Sequence, residues 1–132
     1  MNEIFKPNHL HFICKGECKK APKTVKELNL WLSILVEKVR MKVVAGPTSV
    51  YVDDLGNEGV TGTVTLATSH ASMHVWDSET PQKFQFDIYS CSEFTANEVI
   101  EHLKEFELVN LEYITLDRND DILVTDKRKV NF

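Results

Sequence analysis

From Val60 onward the chain alternates. Val60, Gly62, Val64 and Leu66 fall on one face and Thr61, Thr63, Thr65 and Ala67 on the other. A period of two rich in β-branched residues predicts a strand. Ala71, Met73 and Val75 against Ser72, His74 and Trp76 form a second such run, broken at Thr80-Pro81. Phe84, Phe86 and Ile88, opposite Asp87, Tyr89 and Cys91, form a third. Three strands joined by short connections predict an antiparallel meander.

Two segments change period. Thr24-Val25-Lys26-Glu27 is a capping box, and Val25, Leu28, Leu32, Leu35, Val36 and Val39 follow at helical spacing, predicting a helix over 24–41. Trp31 and Ile34 widen its apolar stripe, so the helix is expected to cover a sheet and touch something else. Thr95-Ala96-Asn97-Glu98 is a second box, followed by Val99, Ile100 and Leu103. HLHFIC (9–14) and Leu108 to Leu116 read as strands. Lys42-Val43-Val44 reads as a short strand stopped by Gly46-Pro47, and DDLGNEG (53–59) as a loop. DRNDD and TDKRKVNF look like a polar, frayed tail. The order predicts an α+β fold, a two-layer sandwich with two helices on one face of an antiparallel sheet, as a single domain over 1–132.

Composition narrows the function classes. With 132 residues, 42% hydrophobic and 27% charged, the chain is expected to fold without a disulfide or metal. A net charge of −5 argues against nucleic acid. No apolar run reaches a membrane span, and MNEIFKPNHLHF has no secretory h-region, so a cytoplasmic protein is expected. Cys14, Cys18 and Cys91 are an odd set, which implies reduced thiols. C-x3-C lacks zinc spacing and has no second pair, so no metal is expected.

The candidate chemistry lies in TLATSHASMHVW (65–76). If the alternation continues past Thr68, Ser69 shares a face with Thr61, Thr63 and Thr65, and a hydroxyl ladder, the His74 imidazole and the Cys91 thiol converge on one sheet face. The same parity also describes ordinary solvent-facing positions. From the residues alone Ser69 is a nucleophile, a ligand contact or a polar strand end. His9, His11, His70 and His102 carry no assignable role.

GVTGTVTLATSHASMHVW, followed by DIYSCSEF and a capped helix ending HLKEF, resembles the prokaryotic S-adenosylmethionine decarboxylases, most closely over 59–106. The resemblance implies self-cleavage between Thr68 and Ser69, in which the Ser69 hydroxyl attacks the Thr68 carbonyl and exchanges an amide for an ester. Elimination and hydrolysis then convert Ser69 into a pyruvoyl group. It implies that Thr61 assists processing, that His74 removes the α-proton, and that Cys91 returns a proton to the substrate carbon. A pyruvoyl ketone condenses with a substrate amine and accepts the electrons released by decarboxylation. The resemblance further implies a role in polyamine biosynthesis and a homodimer with sites near the protomer interface, for which the wide stripe of the first helix is suited.

Three positions depart from the family pattern. Thr68 stands where the family has glutamate. Ser78, flanked by Asp77 and Glu79, stands where it has a ribose-binding glutamate. Its adenine-stacking loop reads DDLGNEG, with Tyr51 or Leu55 the nearest substitute. Trp76 is pocket wall or core. The expected small-molecule substrate is thus S-adenosylmethionine or, alternatively, a basic amino acid such as ornithine or arginine held by Asp53, Asp54, Glu58, Asp77 and Glu79. A third possibility is a non-processing homologue that binds a ligand or partner.

Overall fold

A computed structural model of the chain describes residues 8–67 and 69–132. Its seven-stranded sheet is antiparallel throughout and runs β2-β3-β4-β5-β1-β6-β7. The strands are β1 (Leu10–Cys18), β2 (Val43–Val52), β3 (Gly59–Leu66), β4 (Ser69–Trp76), β5 (Gln82–Ser90), β6 (Leu108–Asp117) and β7 (Leu123–Asn131). Helix α1 (Val25–Lys38) follows β1, and α2 (Ala96–Leu103) with a 3-10 turn (Lys104–Phe106) follows β5. No helix among the described residues is long and apolar enough to cross a membrane.

Both helices cover one face of the sheet, giving the expected α+β sandwich. That face buries Phe12 and Cys14 of β1, Val60 and Val64 of β3, Ala71 and Met73 of β4, and Phe84, Phe86 and Ile88 of β5. From α1 it receives Leu28, Leu32 and Leu35, all 0% exposed. Burying each such side chain contributes roughly 1.5–3 kcal/mol. Thr24 caps α1 by accepting the Glu27 N–H, and Thr95 and Glu98 form a complete capping box on α2. The width of the α1 stripe is accounted for within the chain. Trp31 stacks on His102 of α2 with centroids 4.5 Å apart and meets Phe86 of β5 edge-on at 5.3 Å. It fills the seam between both helices and the sheet, so the stripe needs no second protomer.

The first glycine of GVTG lets β3 and β4 approach closely. A Cβ on Gly59, whose φ is +153°, would sit 1.8 Å from the Val75 carbonyl oxygen. One on Gly62 would sit 2.8 Å from Leu28 Cδ2, so its absence lets α1 settle on β3.

Two expectations are corrected. Gly46-Pro47 does not stop β2, which continues to Val52 with register shifts against β3 around those residues. A bulge absorbs the missing proline donor at this edge strand. The polar C-terminal segment is not a frayed tail but β7, paired with β6 from Leu123 to Asn131. As an edge strand it buries little, so its alternation carries no hydrophobic signal.

Candidate active site

The β3–β4 hairpin fixes the site's geometry. Leu66 pairs with Ser69 across a two-residue turn, so parity flips there instead of continuing. Ser69 therefore shares the helix-covered face with Ala71, Met73 and Val75. The expectation that it joins Thr61, Thr63 and Thr65 is overturned. On its other side Ser69 pairs with Ser90 of β5, which is 0% exposed. Opposed residues of this kind have Cβ atoms about 5 Å apart. Cys91, half-buried, follows Ser90 directly beyond the end of β5. Thr68 lies outside the described residues.

Thr61 and His74 meet elsewhere. They pair across β3 and β4 on the uncovered face, with Thr61 Oγ1 3.3 Å from His74 Nδ1. His74 is five residues along β4 from Ser69, about 16 Å at strand rise, and points to the opposite face. One chain thus brings Ser69 near Cys91, and Thr61 near His74, but keeps the two pairs apart.

The expected substrate contacts cluster at the far end of β4. The Trp76 indole N–H donates to Asn57 Oδ1 at 2.7 Å, and the Tyr51 hydroxyl donates to the Asp77 carboxylate at 3.1 Å. Glu79 pairs with Lys83 at 2.8 Å. Ser78 is exposed, and Leu55, 98% exposed at the tip of its loop, touches none of them closely enough to bury it. Trp76, Lys83, Glu17, Asn110 and Lys129 line a groove of about 640 Å³ on the uncovered face. That volume suits a nucleoside-sized ligand.

Histidines given no role in the sequence come together between these regions. His11 of β1 and His70 of β4 flank Tyr89 of β5, and both turn their Nε2 atoms toward Asp87, at 3.0 Å and 3.6 Å from the same oxygen. Ser72 donates to the other Asp87 oxygen at 2.6 Å. Burial pushes the Asp87 carboxyl up, but the hydrogen bonds from His11 and Ser72 outweigh it and leave it below its ordinary range. His9 Nδ1 lies 2.6 Å from the Tyr89 hydroxyl, and Arg118 rests over that ring at 4.1 Å. Asp87 and Tyr89 were legible as one strand face, but their histidine partners lie on strands distant in sequence.

Cys14 and Cys18 both face the core, where burial raises their thiols, Cys18 to about 11. They are four residues apart on one strand, about 13 Å, too far to share an ion.

Residues 14–119 match the S-adenosylmethionine decarboxylase family model. No curated protein matches the chain. Among solved structures it is similar to a phage SAM lyase in complex with S-methyl-5'-thioadenosine, at 10% identity and TM-score 0.44, covering 100% of this chain and 95% of that one. It is also similar to an AdoMetDC-delta26 monomer from Trypanosoma brucei, at 12% identity and TM-score 0.49, covering 89% of this chain. The match spans 49% of the trypanosomal chain, about half its length. Both likenesses are remote.

Proposed function

The chain belongs to the S-adenosylmethionine decarboxylase family, and from that premise we propose that it is a self-processing pyruvoyl-dependent decarboxylase of polyamine biosynthesis. The observation that carries this reading is the position of Ser69, first residue of β4 after a tight turn, opposite Ser90 and beside Cys91. The Ser69 hydroxyl attacks the carbonyl before it, and the Thr68–Ser69 bond breaks. On this reading Ser90, fully buried and opposite Ser69, holds the reacting serine, and Cys91 moves a proton at the substrate carbon. The pyruvoyl group made from Ser69 would supply the electron sink that no side chain offers.

Thr61 and His74 cannot reach Ser69 of their own chain at about 16 Å and on the opposite face. The reading therefore places them in trans, contributed by a second copy in a homodimer. The uncovered sheet face, which carries Thr61, His74 and the half-exposed Ile13, is the surface available for that pairing. The reading requires the partner's imidazole to reach the Ser69 α-proton at the end of β4 and not the hydroxyl on the covered face. Trp76 and its groove would take the nucleoside in the same arrangement. Asp77 is held by the Tyr51 hydroxyl and Glu79 by Lys83, so either carboxylate gives up a partner when it takes a ribose hydroxyl or a cationic side chain.

A second reading, a non-processing family member that binds a small molecule or partner, is favoured by the same separation of Ser69 from His74. An intact mass spectrum of freshly purified protein beside Ser69→Ala tests both. Two fragments broken between Thr68 and Ser69, the second lacking the ammonia lost on pyruvoyl formation and absent in the variant, support the enzyme. A single intact mass that persists on incubation refutes it.

A further inference from the structure

We propose that His11, His70 and Asp87 form a binding site for a divalent transition-metal ion of the zinc class on the uncovered face of the sheet. The three donor atoms, two imidazole Nε2 and one carboxylate oxygen, all lie within 4.8 Å of one another. Around tetrahedral zinc, with bonds near 2.05 Å, donor atoms sit about 3.3 Å apart. The observed 3.0 Å from His11 to Asp87 and 3.6 Å from His70 to Asp87 bracket that spacing. The remaining pair needs to close by at most about 1.5 Å.

A hydrogen-bond network explains only part of this geometry. His11 donates well to Asp87, but His70 at 3.6 Å is beyond hydrogen-bond distance while its Nε2 faces the same oxygen. Two imidazoles converging on one carboxylate oxygen describe a chelate. The second carboxylate oxygen is taken by Ser72, which fixes the plane of the carboxylate as supporting groups around metal ligands do. Three adjacent strands, β4, β5 and β1, carry the ligands, so sheet register rather than loop conformation sets their spacing. In the single chain His70 is 53% exposed, His11 18% and Asp87 29%, which leaves a fourth position for a water or another donor. Two imidazoles and a carboxylate suit zinc, cobalt or nickel better than calcium or magnesium. The site is separate from Ser69, which faces the other way, and does not depend on the chain being processed.

The test uses the full chain without a histidine tag, stripped with chelator and titrated with Zn²⁺ by calorimetry, then with Co²⁺ to read its visible absorption. In a dimer built on this face the sites lie within it, so binding is measured on the assembled protein. We expect one ion per chain, a rise in melting temperature with Zn²⁺, and a tetrahedral Co²⁺ spectrum. His70→Ala and Asp87→Asn abolish these, and Ser72→Ala weakens binding about 10–100-fold. His9→Ala and His74→Ala bind as the wild type does. Because His70 is half exposed, its variant folds even where that of Asp87 does not. No saturable binding overturns the proposal, as does binding that survives His70→Ala.

Discussion

Ser69 and His74 lie five residues apart on one strand and face opposite sides of the sheet. If both act in self-cleavage, they act across two chains. Ser69→Ala and His74→Ala proteins, prepared separately, are each expected to stay intact. Co-expressed, they form mixed dimers in which the His74→Ala chain, which still has its serine, is cut with the imidazole of the other. Intact mass spectrometry with one chain isotopically labelled identifies which is broken. No scission in the mixture would refute the arrangement in trans, provided that wild type is cut. Scission of His74→Ala alone would show that the imidazole is not used.

His102 ties the helices together. Its Nε2 donates to the Trp31 carbonyl oxygen at 2.9 Å, and Lys38 Nζ lies 3.2 Å from its Nδ1. Burial pushes its pKa down, partly offset by the hydrogen bond to Trp31 and by Glu105, and the net shift is downward. A depressed histidine binds more protons unfolded than folded, so its contribution is fully present above the unfolded pKa of about 6.5. That contribution is lost as pH falls from there through the folded value. Urea midpoints from pH 8 to pH 5 are expected to decline across this window in wild type and to decline less in His102→Gln. Equal slopes would remove His102 as the cause.

The strands that alternate were legible because one face is buried. Val60 to Leu66, Ala71 to Val75 and Phe84 to Ile88 all contribute alternate residues to the core, and period two follows. β7 buries almost nothing and β2 changes register around Gly46-Pro47, so neither carries that pattern through its length. Alternation also does not survive a hairpin. Odd-residue parity extended past Thr68 places Ser69 on the wrong face, because Leu66 pairs with Ser69. The His11–Asp87–His70 group was invisible for another reason. Its members are 76 and 17 residues apart, and only the order β4-β5-β1 makes them neighbours.

Trp31 is the side chain on which α1, α2 and β5 all rest, yet its indole N–H is buried with no hydrogen-bond partner among the described residues. Its contribution is therefore apolar and aromatic contact, offset by an unmet donor. Trp31→Ala is expected to cost about 3–5 kcal/mol. Trp31→Phe keeps a ring against His102 and removes the orphaned donor, and is expected to cost roughly 1–2 kcal/mol. Urea unfolding measures both. A Phe variant as unstable as the Ala variant would mean that the N–H has a partner in solution.

Gly59 and Gly56 both have positive φ, but their surroundings separate strain from collision. At Gly56, with φ +84°, an added Cβ meets nothing within 4 Å, so Gly56→Ala bears only the backbone cost, about 1 kcal/mol. At Gly59 the Cβ would fall 1.8 Å from the Val75 carbonyl oxygen, so the strand itself has to move. That shift disturbs the β3–β4 pairing on which Thr61 and His74 depend. Gly59→Ala is expected to cost more than about 2 kcal/mol, against about 1 for Gly56→Ala. Paired thermal melts of the two variants check this. Equal losses would show that the backbone of β4 yields to the methyl group, and that the close approach at Gly59 is not what fixes the hairpin.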